Sequence, residues 1–372
     1  MFEIFFGMSL NAVSLFAGGG GLDLGFSAAG FNIIYSTDID FHSCETLKLN
    51  QGRQPYYGKH LVEATDVRSL DSKDILNKIG KTKEDIDFII GGPPCQAFSV
   101  FGKRKGLEDP RGNLVYEYSR IIDELKPKGF LFENVSGLRT IHNGDLYKEL
   151  IEILSFKGEY TISAFEYDVA NYGIPQFRSR IIIIGTSNGV EASRMLQTHK
   201  ANQPGMFNNL RPYTTVKDAL SDLPLPTEGT AYNHIGREHS QRIIDRYRGL
   251  EFGERDPLTR INKLHPARPS YTIIVGSDKG GGKGHVHPHY PREVTPRESA
   301  RIQTFPDWWE FYGTGRHVIR QVGNAVPALF GGLLGSHVRK EVFAHSNVFE
   351  YDDLTEILDL SYLNVNQGSF QS

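Results

Sequence analysis

Short runs of β-branched and aromatic residues punctuate the first 190 positions: Ala12 to Phe16, Asn32 to Thr37, Asp87 to Ile90, Gly129 to Phe132, Thr161 to Tyr167 and Arg180 to Gly185. Stretches with helical spacing lie between them. This alternation predicts an α/β fold, a doubly wound, mostly parallel sheet with helices on both faces. From about residue 190 to 315 the texture changes: Gly, Pro, His and Asn rise, periodicity fades, and GSDKGGGKGHVHPHYP interrupts any regular element. A second, smaller, loop-rich domain is expected over 205–314, with 1–204 and 315–372 forming the main one.

Two helices close the pattern. In TPRESARIQTFPD, Thr295 can cap, Pro296 fits the first turn and Glu298 completes a capping box. NAVPALFGGLLGSHVRKEVF then predicts a helix that returns to the main domain, followed by an acidic tail from about Asn347 to which the pattern gives no role.

Composition narrows the class. The apolar stretches Ile181 to Gly185 and Val326 to Gly335 fall short of the roughly 18 residues that a membrane span needs. No Lys or Arg precedes Lys48, and Glu3 comes early, so a signal peptide is not expected. Two cysteines, Cys44 and Cys95, suit a reducing cytoplasmic setting rather than a disulfide framework. The net charge is −3, yet residues 191–300 hold 16 Lys and Arg against 12 Asp and Glu, a weak pointer to a polyanion groove.

Candidate chemistry clusters where strands should end. SLFAGGGGLDLGF follows a strand and opens a helix, so Gly18 to Gly21 allow close backbone approach to a ligand at a helix N-terminus. Asp38 stands about twenty residues on, where a carboxylate commonly holds ribose hydroxyls. This suits a nucleoside cofactor without separating NAD from S-adenosylmethionine. Asp66 could accept from an adenine amino group or simply cap a turn. Cys95, behind Pro93 and Pro94 at a strand end, reads as a nucleophile, whereas Cys44 reads as a packed thiol. Glu133, after the apolar FLF, needs a partner or a raised pKa. Gln176, Arg178 and Arg180 follow a period of two and would share one strand face, with Ser179 pointing away. Between Ser99 and Gly106, Gly102 and Gly106 are possible hinges of a basic lid. His285, His287 and His289 read as a polar loop rather than a metal site.

Cys behind Pro-Pro, a Glu-Asn-Val strand end, Gln-x-Arg-x-Arg and QVGNAVP, in order behind FAGGGG, together resemble the DNA (cytosine-5)-methyltransferase family from Val13 to Pro327. The resemblance implies S-adenosylmethionine, held by Phe16, Ala17, Gly18 and Gly20, by Asp38 and Ile39, by Asp66 and Val67, by Pro94 and Leu114, and by Asn324, Ala325 and Val326. It makes Cys95 the nucleophile, Glu133 the contact to the cytosine N3 and amino group, and Arg178 and Arg180 the supporting cations. Gln96, Ser99, Lys103, Arg104, Lys105 and Gln176 would touch DNA, and 205–314 would choose the sequence, with Arg260, Lys263 and Arg268 reading guanine edges or touching phosphates. Asp38 stands where many relatives have Glu, and Ile39 where some have an aromatic residue. The implied partner is double-stranded DNA, modified by a monomer, with a restriction endonuclease acting on the same site without forming a complex. A tRNA substrate, an inactive DNA-binding homologue and an NAD-dependent oxidoreductase are the rival readings.

Overall fold

The computed structural model describes residues 9–94, 114–201, 210–226, 231–273, 275 and 284–363. Cys95, Gln96, Ser99, Lys103, Arg104 and Lys105 lie outside them. A seven-stranded sheet is built from β1 (Leu10–Leu15), β2 (Phe31–Asp38), β3 (Leu61–Ala64), β4 (Phe88–Gly91), β5 (Gly129–Val135), β6 (Thr161–Asp168) and β7 (Ser179–Thr186). Its order is β3-β2-β1-β4-β5-β7-β6. The first five strands of that order pair in parallel, whereas β7 runs antiparallel to both β5 and β6. A short parallel pair, β8 (His199–Lys200) and β9 (Arg211–Pro212), stands apart.

Side chains alternate cleanly between two cores. Leu10, Ala12, Phe88, Ile90, Leu131, Ile182 and Ile184 enter one, together with α1 (Gly21–Ala28) and α10 (Ala328–Glu341). Val13, Leu15, Ile89, Phe130, Phe132, Ile181 and Ile183 enter the other, under α3 (Ser72–Ile79), α4 (Leu114–Leu125) and α5 (Asp145–Ser155). Burial on both faces is what a doubly wound sheet requires. The remaining helices are α2 (Phe41–Asn50), α6 (Val216–Leu220), α7 (Gln241–Arg248), α8 (Pro296–Ile302), α9 (Gly315–Asn324) and α11 (Tyr351–Ile357). Thr295 and Glu298 form the expected capping box at α8. The acidic tail is a working part of the fold, since Leu354, Leu358 and Leu360 are fully buried in the first core. His285 and His287, expected on a polar loop, are also buried; His285 Nε2 lies 3.1 Å from the Thr272 carbonyl and His287 Nε2 lies 3.7 Å from Glu298.

Helices α1 and α10 meet without side chains between them. A Cβ on Gly25 would lie 2.4 Å from Gly332 N and 2.5 Å from Ala328 O. Asp23 of α1 is wholly buried and accepts from Ser14 Oγ of β1 at 2.5 Å and Ser36 Oγ of β2 at 2.6 Å. Burial pushes its carboxyl up from 3.8 to about 6, outweighing the two hydroxyls that favour the anion.

Two outcomes follow for stability. Gly25→Ala should cost about 2 kcal/mol or more because backbone must separate, whereas Gly332→Ala meets the end of the Leu354 side chain at 3.1 Å and backbone no nearer than Gly25 O at 3.5 Å, and should cost less; denaturant midpoints compare them. Because folding raises the Asp23 pKa, its stabilising contribution is present below 3.8 and lost as pH rises through about 6. Between pH 4.5 and 7.5 the wild type should therefore lose about 2 kcal/mol relative to Asp23→Asn. A pH-independent difference between the two proteins would contradict this.

Candidate active site

The carboxyl ends of β1, β2, β4 and β5 open onto one cavity of about 1090 Å³. Ligands of doubly wound sheets sit at this edge. One wall is the turn after β1. Phe16 has φ +56°, Gly18 has φ +54° with nothing within 4 Å of its missing Cβ, and Ala17 N donates to Thr37 O at 3.0 Å. Gly18 N donates to Asp38 Oδ2 at 2.9 Å, and Asp40 N donates to Asp38 Oδ1 at 2.8 Å. Burial pushes the Asp38 carboxyl up, although these two amides oppose it. Ile39, exposed to 70 %, stands at the rim.

Asp66 and Val67 line the next wall. The Asp66 carboxylate accepts from Arg68 N at 3.0 Å and pairs with the Arg68 guanidinium, which holds its pKa low. Pro94, Leu114, Asn324, Ala325 and Val326 complete the lining, and Arg320 from α9 pairs with Asp40 at 3.0 Å. Of the residues assigned to the cofactor on sequence, Gly20 is absent from this lining. Its missing side chain faces inward, with Leu47 at 2.6 Å and Trp309 at 2.7 Å, and its φ of +85° turns the chain into α1.

The far end of the cavity is ionic. Glu133 Oε1 pairs with Arg180 Nε at 2.7 Å, and each side chain is only 12 % exposed. Strand direction explains the meeting: parallel β5 ends at this edge, and antiparallel β7 begins there, with Val135 opposite Arg180. A Cβ on Gly92 would sit 2.8 Å from Glu133 Oε2, so a side chain there would displace this carboxylate. Asn134 Nδ2 donates to Pro93 O at 2.9 Å, fixing the chain just before Cys95.

Arg178 and Gln176 depart from the expected shared strand face, because β7 starts only at Ser179. Arg178 is 2 % exposed, and its Nη2 donates to Gly323 O and Ala325 O, both at 3.0 Å. Its Nε and Nη1 have no partner among the described residues, and burial pulls its pKa down to about 9. It still lines the cavity. Gln176, assigned to DNA on sequence, is fully buried: Nε2 donates to Gln303 Oε1 at 2.8 Å and Oε1 accepts from Ile273 N at 2.9 Å. It reaches no surface here. Cys44 is a fully buried thiol whose Sγ lies 3.5 Å from the Asp38 carbonyl and 3.4 Å from that of Glu63, and burial pushes its pKa up to about 12.

Sequence reasoning missed Thr272, Ile273 and Val275, which reach the cavity from the loop-rich region. Residues 270–273 bond along the approach to β7, with Phe177 N donating to Ser270 O and Thr272 Oγ1 donating to Phe177 O, both at 2.8 Å. Only long-range pairing brings them in, and no local spacing signals it.

Known proteins share this sequence pattern and fold. The model of the C-5 cytosine-specific DNA methylases matches residues 10–337. The type II methyltransferase M.XorII of Xanthomonas oryzae is 32 % identical over 88 % of this chain and 84 % of its own length. M.NgoFVII of Neisseria gonorrhoeae, also a type II methyltransferase, is 35 % identical over 85 % of this chain and 82 % of its own. Among solved structures, a prophage-encoded E. coli chain assigned as a DNA modification methyltransferase superposes with a TM-score of 0.70, at 29 % identity over 90 % of this chain and all of that one. The chain belongs to the C-5 cytosine-specific DNA methylases and is a DNA (cytosine-5) methyltransferase.

Proposed function

We propose that this enzyme moves a methyl group from S-adenosylmethionine to carbon 5 of a cytosine turned out of double-stranded DNA, through a bond from Cys95 to carbon 6. One observation carries the reading: the Glu133–Arg180 ion pair shares a cavity with the glycine turn and Asp38. A base-sized group and a nucleoside cofactor can thus meet at one strand edge.

The residues fit the cofactor. Asp38 offers carboxylate lone pairs to ribose hydroxyls, Ile39 and Val67 offer apolar surface to adenine, and Gly18 with Asn324 to Val326 offers backbone. S-adenosylmethionine supplies an electrophilic methyl on a sulfonium. Everything else falls to the chain. Carbon 5 of cytosine is a poor nucleophile, and addition of the Cys95 thiolate to carbon 6 places an electron pair on carbon 5. Glu133, within a largely shielded ion pair, is suited to contact N3 and the amino group and to keep charge from building on the ring. Arg180 holds Glu133 in place and can support the base carbonyl. After methyl transfer a base removes the proton from carbon 5, and the carbon–sulfur electrons return to Cys95 as 5-methylcytosine leaves.

A paired base cannot reach this cavity, so it must leave the stack at a cost of a few kcal/mol. Ser99 to Gly106, with Lys103, Arg104 and Lys105, is suited to close over it through phosphate contacts. Residues 205–314 would select the sequence. As with the type II relatives, the enzyme would protect sites that a separate endonuclease cuts.

Purified enzyme with labelled cofactor should place 5-methylcytosine at one duplex sequence, mapped by bisulfite conversion. Cys95→Ser should abolish transfer while a calorimetric titration shows cofactor binding retained; near-normal activity would refute the covalent route. Glu133→Gln should lower kcat by roughly 100-fold or more, with cofactor affinity little changed. An unaltered kcat would remove Glu133 from the chemistry.

A further inference from the structure

We infer that Arg260 is a specificity-determining residue, reading the major-groove edge of a guanine near the modified cytosine. This rests on the proposed action on duplex DNA and adds which side chain chooses the site.

Arg260 sits on a hairpin founded on the cavity wall. Gly253 N donates to Lys263 O, Lys263 N to Glu254 O and Asp256 N to Ile261 O, all at 2.8 Å. At its base Tyr271 Oη donates to Gly253 O at 3.3 Å, and Thr272 and Ile273, the next two residues, line the cavity. Ile261 is buried with Tyr247, Leu250 and Val286, so the hairpin is anchored rather than loose.

Its tip holds Arg260 in an unusual backbone conformation, φ +64°, which long side chains rarely adopt. A fully buried carboxylate enforces it. Asp256 Oδ1 accepts from Arg246 Nε at 2.5 Å, while Oδ2 accepts from Thr259 N at 2.7 Å and from the Thr259 hydroxyl. Arg260 N donates to Asp256 O at 2.9 Å, and Arg255 Nε donates to Arg260 O at 2.8 Å. The Arg260 side chain itself is exposed and makes no hydrogen bond or ion pair among the described residues. Lys263 is the contrast: its Nζ donates to Leu250 O at 2.8 Å and lies 5.5 Å from the Phe252 ring centre, so it serves the fold. Arg268 is exposed as well, but no positive φ holds it. A strained backbone maintained by a buried carboxylate, displaying an uncommitted guanidinium, is what presentation to a ligand requires. The planar fork matches guanine O6 and N7 in a bidentate contact, a match an ammonium lacks.

The test separates function from folding, because glycine relieves the positive φ while removing the side chain. Wild type, Arg260→Gly and Arg260→Lys are given a duplex library randomised around the modified cytosine, and methylated products are sequenced after bisulfite conversion. Arg260→Gly should keep or raise the thermal midpoint and lose roughly 10-fold or more of the preference for guanine at one position. Arg260→Lys should lose the same preference while keeping the salt dependence of binding. An intact preference in Arg260→Gly, or rates that fall equally on every sequence as for a phosphate contact, would overturn the inference. Failure of the wild type to modify any DNA would instead overturn the function on which it rests.

Discussion

Backbone meets backbone where the two ends of the catalytic unit close on each other. A Cβ on Gly21 would lie 1.9 Å from Val326 O, and one on Gly335 would lie 2.8 Å from the Ala29 Cβ. That approach makes the first turn of α1 and the segment before α10 adjacent walls of one cavity, although some 300 residues separate them in the chain. No ordinary side chain could be inserted without driving the walls apart. The glycines near residue 20 and those near residue 330 are therefore one structural device. A ligand held by Gly18 is by the same geometry held near Asn324 to Val326.

Charge at the far end is arranged by strand polarity. A wholly parallel sheet would place the start of β7 at the opposite edge from Glu133. Insertion of β7 antiparallel between β5 and β6 brings Arg180 to that carboxylate and sets Arg178 where one nitrogen clamps two carbonyls beside the Asn324 to Val326 wall. Removing one member of this largely shielded pair leaves the other without its partner, which costs more than the pair itself contributes. Arg178, two positions before Arg180, ties the approach to β7 to the wall at Gly323 and Ala325.

Much of this was legible in the sequence, for identifiable reasons. Six strands stood out because each is a β-branched or aromatic run between turn residues, and α8 because its cap, proline and glutamate follow one another. β3 was missed: it has four residues at the sheet edge, only Val62 is buried, and so short a run carries no period. The antiparallel insertion of β7 was invisible because alternation records which face a residue takes and not which way the strand runs. Gln176 failed for a related reason. Its spacing from Arg178 and Arg180 suggested a continued strand, but residues 175–177 bond instead to 270–273, a contact set by a segment nearly a hundred positions away.

The ion pair is also asymmetric, and this bears on the proposed chemistry. Arg180 Nε engages Oε1 of Glu133, while Oε2 faces the position where Gly92 lacks a side chain. A residue with a Cβ at 92 would press on that oxygen. Glycine keeps it clear, and Asn134 pins Pro93 beside it, so the segment leading to Cys95 and the second carboxylate oxygen are positioned together. On the proposed route the nucleophile must reach carbon 6 while a carboxylate faces N3 on the opposite side of the same ring. Holding Pro93 through the side chain of Asn134, the neighbour of Glu133, sets the chain that leads to the nucleophile beside the carboxylate before any base arrives, which on that route lowers the entropy the reaction would otherwise have to lose.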